Sequence, residues 1–85
     1  MKIIDEEFTL GDHAILRARL GLVLISCLLG NDGRRVAVVQ YYSDFPSVFY
    51  GDGDTEAEAL NDALVKGEAA RQEHRERARQ VPESA

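Results

Sequence analysis

The sequence predicts an α+β fold, a small antiparallel β-meander of three to four strands packed by one long C-terminal α-helix. Two apolar runs flank the tight-turn sequence Gly30-Asn31-Asp32-Gly33, which is the pattern of a β-hairpin. Thr55 then opens a segment with apolar residues at spacings of three and four, as in a helix packed on one face. The 85 residues suffice for one small domain over residues 1–80, with a disordered tail over residues 81–85.

The segments before the hairpin carry mixed signals. Residues 1–12 predict an N-terminal strand or arm, and we expect the meander over residues 13–50. Residues 13–20, HAILRARL, alternate with a period of two, which favours a strand. A short helix capped by Asp12 and closed by Gly21 is the alternative, because both residue types are good helix caps.

The next run, residues 22–29 (LVLISCLL), is apolar on both faces, which predicts a central strand covered on both sides. One helix covers one face, so the second face needs the N-terminal segment, a second copy of the chain or a partner. Residues 34–42 return as the paired strand, with Val36, Val38, Gln40 and Tyr42 on one face and Ala37, Val39 and Tyr41 on the other. Pro46 limits the following pairing, so residues 48–50 are at best a short edge strand.

The long helix is expected over residues 55–80. Thr55 and Glu58 have the spacing of a capping box, and acidic residues around them favour the positive end of the helix dipole. Small and apolar side chains then form a narrow stripe: Ala57, Leu60, Ala63, Leu64 and Gly67. After Gly67 the stripe ends, and arginines alternate with glutamates, which predicts a solvated helical extension.

The motifs around this helix start resemble a known family. Residues 44–46 (DFP), then Val48, then residues 53–55 (GDT), then residues 58–60 (EAL) and Ala63 are similar to the corresponding segment of HicB-like antitoxins. With the hairpin, the similarity covers approximately residues 20–75, without the DNA-binding module that usually follows in that family. The resemblance implies a partial RNase H-like domain that neutralises a small RNA-cleaving toxin by binding it.

The charge distribution indicates what kind of partner to expect. The formal net charge is −5, and residues 36–65 hold six acids and no base. Such a surface repels nucleic acid and anionic membranes and attracts basic proteins, so we expect no direct contact with either. Aromatic residues lie beside the acids, as in protein interfaces, although two or three of them are equally expected to cover the core. The candidate partner-binding residues are Tyr41, Asp44, Phe45, Tyr50, Asp52, Asp54, Glu56 and Glu58.

Catalysis, cofactors and metals find little support in the sequence. His13 and His74 lie in separate elements without an acid at a spacing that suggests a catalytic pair, and Cys27 lies in an apolar run, typical of a buried thiol. Asp52 and Asp54 are expected to serve turn geometry and helix capping. We therefore expect neither an enzyme nor a bound cofactor or metal. An acidic amino terminus and a longest apolar run of ten residues predict no signal peptide or membrane span, hence a cytoplasmic protein.

Two hypotheses on function follow. The first is a non-catalytic inhibitor that uses the acidic turn and helix start to block a basic, nucleic-acid-handling protein. The target is a toxin nuclease, or a host defence complex if the chain is a phage-encoded, anti-CRISPR-type inhibitor. The alternative is a small homodimeric structural or regulatory module, in which a second copy covers the two-sided apolar strand.

Overall fold

The computed structural model describes residues 2–5, 7–42 and 46–80; the predicted tail over residues 81–85 lies outside the described residues. The elements are α1 (Leu10–Leu20), β1 (Leu22–Leu29), β2 (Arg35–Tyr41), β3 (Ser47–Gly53) and α2 (Glu56–Gln80). The strands form one antiparallel sheet in the order β1-β2-β3, with the long helix α2 packed on it. The predicted α+β meander is confirmed, and the number of strands is three.

The middle strand of the sheet is β2, which shows the alternation that the sequence predicts. Ala37, Val39 and Tyr41 are fully buried on the face that α2 covers, here called the helix face. The prediction that residues 22–29 form a central strand is wrong, because β1 lies at an edge of the sheet. The second apolar face of β1 lies on the side of the sheet opposite to the helix face.

On that opposite side, here called the outer face, lies no helix of the described residues. The register places Leu24, Val38 and Tyr50 of the three strands on it, and α1, α2 and the N-terminal arm all pack on the other side. Leu24, Leu28, Val48 and Tyr50 have relative exposures of 43%, 59%, 44% and 63%. The described part of the N-terminal segment therefore does not cover the second apolar face of β1.

Residues 13–20 form a helix, so the strand prediction for this segment is wrong. The helix α1 begins after Thr9, whose hydroxyl and the Asp12 carboxylate build a capping box. It ends at Gly21, which adopts a left-handed conformation with φ of 70°. Leu16 is buried in the core, and the period-two alternation was coincidental in a segment with two strong caps.

The third strand is longer than the short edge strand predicted over residues 48–50. It extends over Ser47–Gly53 and so includes Asp52, which was expected to serve turn geometry. A Cβ atom at Gly51 would overlap the backbone of Ala59 and Ala63, and one at Gly53 would crowd Glu58 and Ala59. These glycines therefore let α2 lie directly on β3.

The start of α2 confirms the predicted cap in part. Thr55 Oγ1 accepts a hydrogen bond from Glu58 N at 3.1 Å, as a capping box requires. The Glu58 carboxylate accepts from Asp54 N at 3.0 Å, one residue before the N-cap, instead of from Thr55 N. The reciprocal bond therefore fastens the turn that joins β3 to α2.

Beyond the sheet, α2 continues as a solvated helix. Gly67 lies against the Tyr41 ring, and Glu68 and Arg71 contact the same side chain. The core contacts thus extend one turn further than the sequence predicts. Residues 72–79 are mostly exposed, with an ion pair between Glu73 and Arg77.

The N-terminal segment forms an arm rather than a strand in its described residues. Backbone N–H groups of Ile3 and Ile4 donate to Asn61 Oδ1 at 2.6 and 2.8 Å, and Asn61 Nδ2 donates back to the Ile4 carbonyl. Ile4 is buried in the core. A single amide on α2 therefore holds the arm beside the helix.

Candidate partner-binding surface

The fold brings five carboxylates to one end of the molecule. Asp52 lies on β3, Asp54 lies in the following turn, and the others lie in the first two turns of α2. We call this set the acidic end: Asp52, Asp54, Glu56, Glu58 and Asp62. The sequence prediction that these acids form one surface is consistent with this arrangement.

Arg34, at the end of the β1–β2 turn, lies against the acidic end. Its Nη1 atom is 3.2 Å from Asp52 Oδ2, and its Nε atom is 3.6 Å from Asp54 Oδ1. Arg34 precedes the base-free stretch in sequence, so the charge count did not predict that it lies beside these acids. The antiparallel register brings it there, because Arg35 pairs with Gly53. All three side chains are about half exposed or more, and water screens both ion pairs.

A second contact joins α1 to the acidic end. His13 Nε2 lies 2.8 Å from Glu56 Oε1, although the pair lacks the alignment of a hydrogen bond. The Phe8 ring lies 4.2 Å from the His13 ring, centroid to centroid. His13 and Glu56 are 43 positions apart in sequence, so local spacing did not predict their contact.

The Cys27 thiol lies near the same glutamate on the helix face. Burial, and then the negative charge and hydrogen bonding of Glu56, raise the pKa of Cys27 to about 11. At neutral pH the group is therefore a thiol and a poor nucleophile. The arrangement of Cys27, Glu56 and His13 does not generate a thiolate.

Asp62 and Lys66 bind the free edge of β3. Asp52 N donates to Asp62 Oδ2 at 3.1 Å, and Lys66 Nζ donates to the Tyr50 carbonyl at 3.2 Å. The two side chains also form an ion pair at 3.1 Å. Burial acts to raise the pKa of Asp62, but the Asp52 N–H and Lys66 outweigh it and lower that pKa.

Tyr50 connects the acidic end to the outer face. Its side chain is 63% exposed, lies on the outer face beside Asp52, and neighbours Val38 across the sheet. An exposed tyrosine between apolar and acidic groups has the composition of an interface core next to its rim. Of the two predicted aromatic residues that the structure describes, Tyr50 is the one at an exposed position.

Tyr41 does not belong to an accessible surface. It is fully buried, its hydroxyl donates to Glu68 Oε1 at 3.2 Å, and the Arg71 guanidinium lies 4.5 Å from its ring centroid. Burial and Glu68 raise the pKa of Tyr41 to about 12. The prediction that Tyr41 contacts a partner is corrected: it packs under Gly67 in the core. Asp44 and Phe45 lie outside the described residues.

A shallow cleft of about 270 Å³ lies between the arm and α1, with Ile4, Phe8 and Leu16 among its apolar lining and Asp5 and Arg19 among its polar lining. Within residues 2–5, 7–42 and 46–80, no three His, Cys, Asp or Glu side chains are grouped to hold a metal ion. No described helix is both long enough and apolar enough to cross a membrane.

Comparison with known proteins adds no relative: no protein-family model matches the chain, and neither a curated protein nor a solved structure is similar to it. The resemblance to HicB-like antitoxins therefore stays a prediction.

Proposed function

We propose that this protein acts without catalysis, by stoichiometric binding to a basic protein that it blocks. The observation that supports this proposal most strongly is the continuity of two surfaces: the uncovered apolar face meets the acidic end at Tyr50 and Asp52. An apolar patch rimmed by charge is typical of a protein interface.

The electrostatics favour a basic partner. Arg34 and Lys66 contact three of the five carboxylates in the acidic end, Asp52, Asp54 and Asp62, and all of these contacts are exposed. Exposed ion pairs contribute little, about 0–1 kcal/mol each, so a cationic partner exchanges with them readily. The net negative charge of the acidic end raises the association rate with a basic surface, mainly at low salt.

The resemblance to HicB-like antitoxins narrows the proposed target to a small RNA-cleaving toxin. A host defence complex that handles nucleic acid is the other target of the same chemistry, as for an anti-CRISPR-type inhibitor encoded by a phage. Both targets are cytoplasmic, and we propose that the protein acts there. The neighbouring genes distinguish the two: a toxin gene favours the first target, and phage structural genes favour the second.

A homodimeric module is the second candidate, and the exposed leucines of β1 favour it. Leu24 and Leu28 lie on the outer face of β1, the edge strand opposite β3. Three strands of seven or eight residues present a footprint of roughly 350 Å², less than the ~800 Å² per partner that stable interfaces bury. The outer face alone is therefore small for a stable dimer, and a surface that also includes the acidic end is larger.

Affinity capture tests the proposal. The tagged chain, incubated in extract of its native cell, should retain a basic protein at low salt and release it as salt rises. A matched pair of charge reversals controls for bulk charge: Asp54→Lys at the acidic end should reduce capture, and Glu76→Lys on the distal part of α2 should not. Recovery of the same chain alone, at every salt concentration, would support the homodimer and contradict the inhibitor.

A further inference from the structure

The free edge of β3 is the surface from which more can be inferred. β3 pairs with β2 on one side, and no strand in the described parts of the chain pairs with its other side. The strand at the opposite edge of the sheet, β1, is in contact with α1. An unpaired edge presents a row of N–H and C=O groups that a further strand can bind.

Two of these groups are held by side chains of α2. Asp52 N–H and Tyr50 C=O belong to residues two apart, so they point to the same side of β3. Asp62 accepts from the first and Lys66 donates to the second, at 3.1 and 3.2 Å. Because α2 supplies both partners, these backbone groups face away from β2. The ion pair, which we call the Asp62–Lys66 clip, thus occupies one donor and one acceptor that a fourth strand would use.

The clip is easy to displace. The Asp62 and Lys66 side chains are 36% and 54% exposed, so both remain solvated when they leave the edge. An exposed pair of this kind is worth little, whereas an added strand supplies several backbone hydrogen bonds. The clip therefore protects the edge against weak, nonspecific pairing and yields to a matching strand.

The side chains around the edge define what strand matches. Val48 and Tyr50 project to the outer face and offer apolar contacts to alternate residues of an added strand. Asp52 and Asp54 offer negative charge near one end of the same edge. An extended segment that alternates apolar and basic residues complements both features.

We propose that the free edge of β3 is a strand-addition site for an extended, basic segment of the partner protein, and that the Asp62–Lys66 clip guards it. The inference rests on the proposed function and specifies how the partner binds. The added strand runs antiparallel or parallel to β3, and the clip side chains exchange their backbone contacts for solvent.

Peptide binding tests the proposal. The probe is a fluorescent nine-residue peptide of alternating valine and arginine, and anisotropy measures its affinity for the intact chain. The wild-type protein should bind it, and methylation of alternate peptide nitrogens should abolish binding, because methylated amides cannot donate to the edge. A peptide with glutamate in place of arginine should not bind.

A pair of double variants tests the guard. Asp62→Ala with Lys66→Ala removes one charge of each sign and frees the edge, so peptide affinity should rise about two- to fivefold, the factor that an exposed ion pair represents. Glu73→Ala with Arg77→Ala removes an equivalent i,i+4 pair that lies away from the sheet, and it should leave affinity unchanged.

Equal binding of the methylated peptide, or equal affinities for the two double variants, would overturn the inference. Dimerisation of the wild-type chain through β3, seen by sedimentation, would overturn the choice of occupant. If the peptide does not bind but capture of a basic protein still depends on Asp54, strand addition is wrong and the proposed function stands. If both fail, the proposed function is wrong as well.

Discussion

Gly51 is the residue on which the packing of α2 against β3 depends most. A Cβ atom there would overlap backbone atoms of Ala59 and Ala63, which cannot move without shifting the helix. We predict that Gly51→Ala lowers the free energy of unfolding by about 1–3 kcal/mol, the usual cost of overpacking. Urea denaturation measures this change.

Gly11→Ala is the matched control for that substitution. Gly11 lies in α1, and the nearest atom to an added Cβ is Thr9 Oγ1 at 3.9 Å. Alanine favours helix over glycine by about 1 kcal/mol, so this variant should be neutral or slightly more stable. Equal losses of stability in the two variants would contradict the close approach of α2 at Gly51.

Asp62 gives stability a dependence on pH. Burial alone would raise its pKa, but the Asp52 N–H and Lys66 lower it below the ordinary value. A carboxyl group with a lowered pKa in the folded state stabilises the fold above its unfolded-state pKa, and this contribution disappears as pH falls through the folded-state value.

We therefore predict that Asp62→Asn reduces stability at neutral pH and flattens the loss of stability on acidification. Thermal denaturation between neutral and acidic pH measures both effects. If the melting temperature of Asp62→Asn falls with pH as steeply as that of the wild type, the contact of Asp62 with β3 does not contribute to the pH dependence of stability.

At the level of elements, α2 divides into a packed part and a solvated part. Gly67, Glu68 and Arg71 contact Tyr41, whereas residues 72–79 are mostly exposed and form local contacts such as the Glu73–Arg77 pair. Each such exposed pair is worth about 0.3–0.5 kcal/mol, which is small compared with burial of an aromatic side chain.

We predict that a chain ending at Gln72 keeps nearly the full melting temperature, while a chain ending at Lys66 loses the cover of Tyr41 and melts far lower. Circular dichroism on the two truncated chains measures the difference. Similar large losses in both would place stabilising contacts in the distal part of α2, contrary to the division described above.

The elements that the sequence predicted correctly are those with a local cause. The alternation in β2, the Gly30–Gly33 turn and the cap at Thr55 each follow from neighbouring residues. The structure confirms the first two, and it confirms the cap in part. Gly33 adopts a positive φ of 85°, as tight hairpin turns require. Periodicity and turn chemistry act over a few positions, so they can be read directly.

One error has a local cause, and the others have a tertiary cause. Period two favoured a strand over residues 13–20, but the caps at Thr9 and Gly21 outweighed it. β1 was predicted to be central because both of its faces are apolar, and the structure shows that apolarity also marks an uncovered face. Arg34 reached the acidic end through strand register, and Tyr41 went into the core because Gly67 leaves room for its ring.

For the molecule as a whole, the central claim is that a basic partner approaches the acidic end and the adjoining outer face. The most direct measurement is the association rate of the captured partner with Asp54→Lys and with Glu76→Lys, at low and at high salt. Both variants change the net charge equally, but only Asp54, 83% exposed, lies in the acidic end. We predict that Asp54→Lys slows association severalfold at low salt, with little change in dissociation, and that Glu76→Lys leaves the rate near that of the wild type. Equal rates for the two variants would contradict the claim.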